Sequence, residues 1–259
     1  PVWPGFGTAQ FLPARAGAAV PGFAAGGQEF TYAQHGFAAT AYVLPTDQYG
    51  TQLDPPAHWD EFGATISDLP PTMAVRPLVV IDIHRQVLQD SGYHCTVADI
   101  REWERRHGTI PAGAVVMIRS DWHKRWNETE RFARSPFPGI TLAALQFLHL
   151  DRQILFHGHE PLDTDDTPKR EGEYWLLHHQ YCQAEGVANL DRVPEAGALI
   201  TIGFAKPKGG TGGYARYVAI CPPDWPYGER IVDASGAPLP RQEYPLRRDD
   251  HGVLGPTRP

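Results

Sequence analysis

Short apolar runs that alternate with amphipathic segments are what most limits the fold of this chain. "PLVVIDI" (77–83) reads as a buried strand. "TVADIREWERRHG" (96–108) reads as a helix, with Thr96 placed to cap it, apolar residues at 97, 100 and 103, and Gly108 just beyond its last turn. "IPAGAVVMIRSDW" (110–122) is a turn and a core strand, "GITLAALQFLHLD" (139–151) a second helix, and "RQILFHG" (152–158) another strand. "EGEYWLLHHQYCQAEG" (171–186) is expected to be a third helix, and "GALITIGFA" (197–205) pairs with "GGYARYVAIC" (212–221) across the flexible "KPKGGTGG". Strands and helices alternate through the middle and a hairpin closes the end, which predicts an α/β chain with mixed sheets. With no repeat, low-complexity tract or linker, one domain over residues 1–259 is expected, residues 1–30 forming an extended N-terminal arm rich in Gly, Ala and Pro.

Composition removes several function classes. The net charge of -7, without a large Lys/Arg cluster, argues against nucleic-acid or anionic-membrane partners. No apolar run approaches the roughly 18 residues of a membrane span, and no secretory signal pattern is visible. Cys95, Cys182 and Cys221 are too scattered for a disulfide framework or a CxxC zinc ribbon, so a reducing, cytoplasmic location is the expectation.

Chemistry concentrates in three places. In "YGTQLDPPAHW" (49–59), which follows the strand-like "FAATAYVLP" (37–45), Gly50 lets the chain turn and Pro55 and Pro56 fix two φ angles. Asp54 and His58 are thereby held on a stiff frame, suited to a divalent cation or to acid-base work, and Gln52 can add a neutral oxygen. A purely structural alternative has Asp54 cap a turn and His58 pack on Trp59. In "HHQYCQAEGVANLD" (178–191), a helix would put His179 and Gln183 on one face, four residues apart. The alternative there is a polar surface face with Glu185 solvated and His178 incidental. "FHGHEPLDTDD" (156–166) ends a strand with His159 and Asp163, where α/β proteins bind ligands, although turn chemistry also accounts for its acids. No GxGxxG, P-loop or GxSxG elbow is present.

Taken in order, "GTQLDPPAHW", "GHEPLDTD" and "HHQYCQAEGVANLDRVPEAGALI" resemble the cyclase family of metal-dependent hydrolases, which includes kynurenine formamidase and isatin hydrolase. The resemblance covers about residues 45 to 221, and the "GVANLDRVPEAGALI" tail and greater length place it closer to the isatin-hydrolase side. It implies a swivelling β/β/α barrel-like single domain with mixed sheets, assembled as a homodimer or homotetramer. It also implies hydrolysis of a cyclic amide or lactone by metal-activated water, with manganese or zinc as the metal.

Carried over by position, Asp54 is the central metal ligand and His58 the acid-base residue or a further ligand. His179 falls on the downstream histidine ligand, Gln183 on a neutral amide ligand, and Asp191 on a later carboxylate. The family pattern His-x-Gly-Thr-His-x-Asp-x-Pro-x-His is broken twice, because Gln48 and Gln52 stand where it has histidines. Two imidazoles replaced by amides imply one bound ion rather than two. Trp59, Phe62 and Trp122 are candidates for an aromatic wall around a flat substrate. A kynurenine-formamidase-like hydrolase of linear N-formyl arylamides, and a non-catalytic binding protein on the same scaffold, are the competing expectations.

Overall fold

The computed structural model describes residues 7–15, 27–227 and 238–257, and these fall into two compact units. Residues 47–227 build the larger unit around a closed seven-stranded barrel. Numbered within the barrel, its strands are β1 (Gln52–Asp54), β2 (Val75–Asp82), β3 (Val115–Arg119), β4 (Phe156–His159), β5 (Cys182–Glu185), β6 (Ala198–Phe204) and β7 (Gly213–Ile220). Around the barrel the order is β6-β7-β1-β5-β4-β3-β2, and β2 pairs back onto β6 to close it. The run β2, β3, β4, β5 is parallel, whereas β1 is antiparallel to both β5 and β7. Mixed sheets in an α/β chain are therefore what the alternation of patterns produces.

In the smaller unit, Gln10–Pro13 pairs antiparallel with Thr40–Val43 and Leu246–Arg248 with Leu254–Pro256. The expected N-terminal arm thus contributes a short paired strand, and its residues 1–6 and 16–26 lie outside the described set. Among the described residues, no helix is long and apolar enough to cross a membrane.

Period-two alternation splits the barrel strands between two cores. Leu53, Leu78, Val80, Met117, Ala184, Ile200 and Ile202 fill one cluster, inside the barrel. Val79, Ile81, Val116 and Ile118 point the other way, into a cluster shared with helix residues. Those come from α1 (Val97–His107), α2 (Leu142–Gln146) and α3 (Glu171–His178), through Ile100, Trp103, Leu145 and Leu176. Helix α1 matches its sequence signals. Thr96 accepts from the Asp99 amide, Asp99 accepts in return from the Thr96 amide, and Gly108 ends the helix at φ 88°.

Two helices expected from the sequence are shorter than their patterns. Over 139–151, Gly139–Ile140 is a strand paired with His94–Cys95, α2 follows, and a π-helical turn occupies Phe147–Asp151. Over 171–186, α3 stops at His178, Gln180 reverses the chain at φ 63°, and Cys182–Glu185 is β5. The reason is that Cys-Gln-Ala-Glu alternates. Cys182 and Ala184 belong to the barrel core, which forces Gln183 and Glu185 onto the opposite face. His179 and Gln183 therefore do not share a helix face.

Gly158 marks the tightest approach on the site-bearing strands. A Cβ there would meet Met117 Sδ and stand 2.9 Å from Ala184 Cβ. Gly158→Ala is expected to lose about 1–3 kcal/mol by overpacking, read from urea unfolding; an unchanged midpoint would show that Met117 simply moves aside.

Candidate active site

The Gly-Thr-Gln-Leu-Asp-Pro-Pro segment is built to deliver two side chains. Gly50 takes φ 76°, and the carbonyl of Gly186 accepts a 2.6 Å bond from Thr51 Oγ1, so the loop after β5 closes on the entry to β1. Pro55 is extended at φ -82° and Pro56 opens a single 3-10 turn that ends at His58. Because Leu53 faces the barrel core, Gln52 and Asp54 face the helical layer. Register then aligns Gln52 with Glu185, Asp54 with Gln183, and Gln183 with His157. From the helix side, α3 contributes Glu173.

These groups form one buried polar cluster. Gln183 Nε2 donates to Glu185 Oε1 at 2.8 Å, Glu173 Oε1 at 2.9 Å and Asp54 Oδ2 at 3.3 Å. Gln52 Nε2 donates to Glu185 Oε2 at 2.8 Å and to both oxygens of Asp54 at 3.2 Å. Thr164 Oγ1 donates to Gln183 Oε1, which keeps the NH2 of Gln183 turned to the carboxylates. Burial raises the pKa of Asp54, against the lowering effect of His58, and pushes Glu173 and Glu185 well above the usual carboxylate range. Asp163, 3.0 Å from Arg170, is pushed up to about 7, again by burial.

Asp54, His58 and Glu173 each offer a ligand atom, all within 4.8 Å of one another. Glu173 Oε2 and Gln52 Oε1 are also buried without a hydrogen-bond partner. Carboxylate and amide oxygens with one imidazole are a donor set for a hard or borderline divalent cation, so the residues present fit such an ion.

The remaining sequence candidates are more dispersed. His58 is partly exposed, with Nδ1 3.1 Å from Gln48 Nε2 and its ring edge-on to Trp59. Trp59 in turn meets Tyr174 edge-on at 6.3 Å. His159 is buried with Nε2 3.5 Å from Glu185 Oε1 and lies nearly parallel to His157 at 5.5 Å. Burial holds His159 and His149 down to about 3 and His157 well below its ordinary value, so all three rings are neutral. His179 stacks on Trp175 and its Nδ1 bonds the Trp175 carbonyl, while His178 does the same with Tyr174. Asp191 pairs with Lys124 at 3.1 Å and lies 3.8 Å from His123. Phe62 is 87% exposed and Trp122 is buried in the core, so only Trp59 of the three aromatic candidates borders His58.

Glu173, Glu185 and His157 join the site without having been expected from the sequence. The alternation in "FHGH" is a signal for His157, whereas in "CQAE" it is too short to be told from the helical pattern before it. For Glu173 the signal is an acid set beside Leu176 and Leu177 in the one helix whose Gly172 allows close packing against Leu145.

A family model described as "Putative cyclase" matches residues 1–166. This chain belongs to the cyclase family. The matched span holds Asp54 and His58, whereas Glu173, Gln183 and Glu185 lie beyond it. The isatin hydrolase of Roseibium aggregatum is 30% identical over 201 residues, covering 72% of this chain and 76% of that protein. The solved isatin hydrolase A of Ralstonia solanacearum aligns with a TM-score of 0.68 at 29% identity, over 84% of each chain. An isatin hydrolase crystallised with the product analogue thioisatinate gives the same TM-score at 26% identity, over 83% of this chain and 93% of that one. The fold of this cyclase-family chain is thus similar to that of the solved isatin hydrolases.

The protonation of Asp163 gives a stability signature. Its pKa in the fold lies above the ordinary 3.8, so the fold keeps a proton that the unfolded chain releases. The stability it contributes is complete below about pH 4 and is lost as pH rises toward 7. The advantage of Asp163→Asn over wild type should therefore grow between pH 5 and pH 8, by on the order of 1–3 kcal/mol. Urea unfolding at both pH values checks this, and a pH-independent difference would contradict it.

Proposed function

We propose that this protein is a metal-dependent hydrolase that opens the ring of a cyclic amide, isatin or a close analogue, at the Asp54–His58–Glu173 site. The observation that carries the reading is the convergence of two buried carboxylates and one imidazole within 4.8 Å, in a chain 30% identical to an isatin hydrolase. Asp54 and Glu173 would hold a single divalent cation, manganese or zinc, with Gln52 Oε1 as a neutral oxygen beside them. When bound, such an ion polarises a carbonyl oxygen and lowers the pKa of water toward neutrality.

The chain's own residues do the rest. Buried Gln183 donates to Asp54 and Glu173 and is itself held by Thr164 and Glu185, so the orientation of those carboxylates is set before substrate arrives. His58 is the group that hydrogen-bonds the reacting oxygen, work suited to an imidazole at neutral pH. Trp59 lies edge-on to His58 and Tyr174 edge-on to Trp59, giving aromatic surface against which a flat ring can lie. Assembly as a homodimer or homotetramer, and cytoplasmic residence, belong to the same proposal and rest on the family resemblance.

Purified without chelator, the protein is expected to carry about one equivalent of metal, and to open isatin faster than lactones or N-formylkynurenine. His58→Ala should keep the metal and lose about 10²- to 10⁴-fold in kcat. Glu173→Gln should lose the metal itself. A metal-loaded protein that turns over no member of that panel would leave the scaffold as a binding protein, whereas formate release from N-formylkynurenine alone would make it a formamidase.

A further inference from the structure

Gln48 stands ten residues before His58 and reaches it through a hydrogen-bond chain that begins on the β6–β7 loop. Asp47 collects the backbone amides of Thr211 at 2.8 Å and Gly212 at 3.0 Å, together with the Thr211 hydroxyl at 3.3 Å. A carboxylate only accepts, so the Thr211 hydroxyl proton is committed to Asp47. Thr211 Oγ1 can then only accept from Gln48, which it meets at 3.2 Å. An accepting hydroxyl selects the NH2 end of the amide. That same Nε2 lies 3.1 Å from His58 Nδ1. A donor on Nδ1 requires Nδ1 to be the unprotonated nitrogen, and the proton of neutral imidazole is then on Nε2.

The loop also packs closely on the Gln48 side chain. A Cβ on Gly212 would stand 2.7 Å from Gln48 Nε2, so only glycine lets the loop lie against the amide.

We infer that Gln48 is a positioning residue that fixes His58 in its Nε2–H tautomer, making His58 a hydrogen-bond donor to the substrate rather than a metal ligand. The inference deepens the hydrolase reading and rests on it for the identity of the acceptor, which is the carbonyl oxygen of the scissile amide. Negative charge grows on that oxygen as the carbonyl is attacked, and a neutral N–H stabilises it without transferring a proton. With Nδ1 engaged by Gln48 and Nε2 protonated, neither ring nitrogen presents a lone pair to a cation. The ion is left to Asp54 and Glu173.

The imidazole nitrogens report the tautomer directly. In ¹⁵N-histidine-labelled protein, both metal-free and zinc-loaded, the His58 signals are identified by their loss in His58→Ala. At a pH where the ring is neutral, wild type should show a protonated Nε2 and an unprotonated Nδ1. Gln48→Glu replaces the donor by an acceptor and should move the proton to Nδ1, with a loss of about 10²-fold in kcat, the size seen when an oxyanion donor is removed. Thr211→Val removes the hydroxyl that accepts from the NH2 end of Gln48, and should raise the share of the Nδ1–H tautomer. A wild-type Nδ1–H signal, or a tautomer unmoved by both Gln48→Glu and Thr211→Val, overturns the inference. If the Gln48 variant does not fold, wild type and Thr211→Val still decide. A protein with the expected tautomer but no turnover of any cyclic amide would retain the Gln48 assignment and sink the hydrolase reading, so the two failures are distinguishable.

Discussion

Strand β1 is three residues long, yet it is hydrogen-bonded on one side to β5 and on the other to β7. Leu53 is anchored in the barrel core, and that anchor forces Gln52 and Asp54 outward, where the register sets them against Glu185 and Gln183. A slip of one residue would exchange the two faces, bringing the polar pair inside the barrel and leaving leucine at the site. The position of Glu173 matters only because this register is fixed. Helix α3 meets a strand face that is already polar and closes the cluster from above.

Such a cluster is costly, since several carboxylates are taken out of water together. Two features reduce the cost in this chain. The carboxamides of Gln52 and Gln183 each place one NH2 group among three carboxylate oxygens, and burial shifts the acids toward their neutral forms. The histidines on β4 respond to the same burial in the opposite direction and stay uncharged. Carboxylate oxygens beside a partly exposed imidazole suit a divalent cation. Gln52, which stands where the family pattern has a histidine, ties Asp54 to Glu185 instead of offering an imidazole to a second ion.

Much of the barrel is legible in the sequence. The apolar runs at 77–83 and 110–122, the capped helix at 96–108 and the closing hairpin each lie where their patterns put them. Those segments have an unmixed period and clear end signals. Sequence and structure part where a polar requirement is laid over a short structural one. "CQAE" blends into the helical pattern before it because four residues are too few to separate a period of two from 3.6. Continuing that helix points to His179, which in the fold lies on Trp175, and away from Glu173 and Glu185.

By itself, the sequence determined the local frame. Gly50 and the two prolines specify a turn, an extended residue and a single helical turn through torsional restriction alone, and so they fix how Asp54 and His58 leave the backbone. Which groups meet them was decided only by the tertiary structure. Glu173 and Glu185 come from a helix and a strand more than a hundred residues downstream, and Thr211 from a loop further still. Contacts over that separation depend on barrel closure and strand register. No local preference in the chain encodes them, because a side chain's neighbours across a sheet are set by hydrogen-bond pairing rather than by sequence distance.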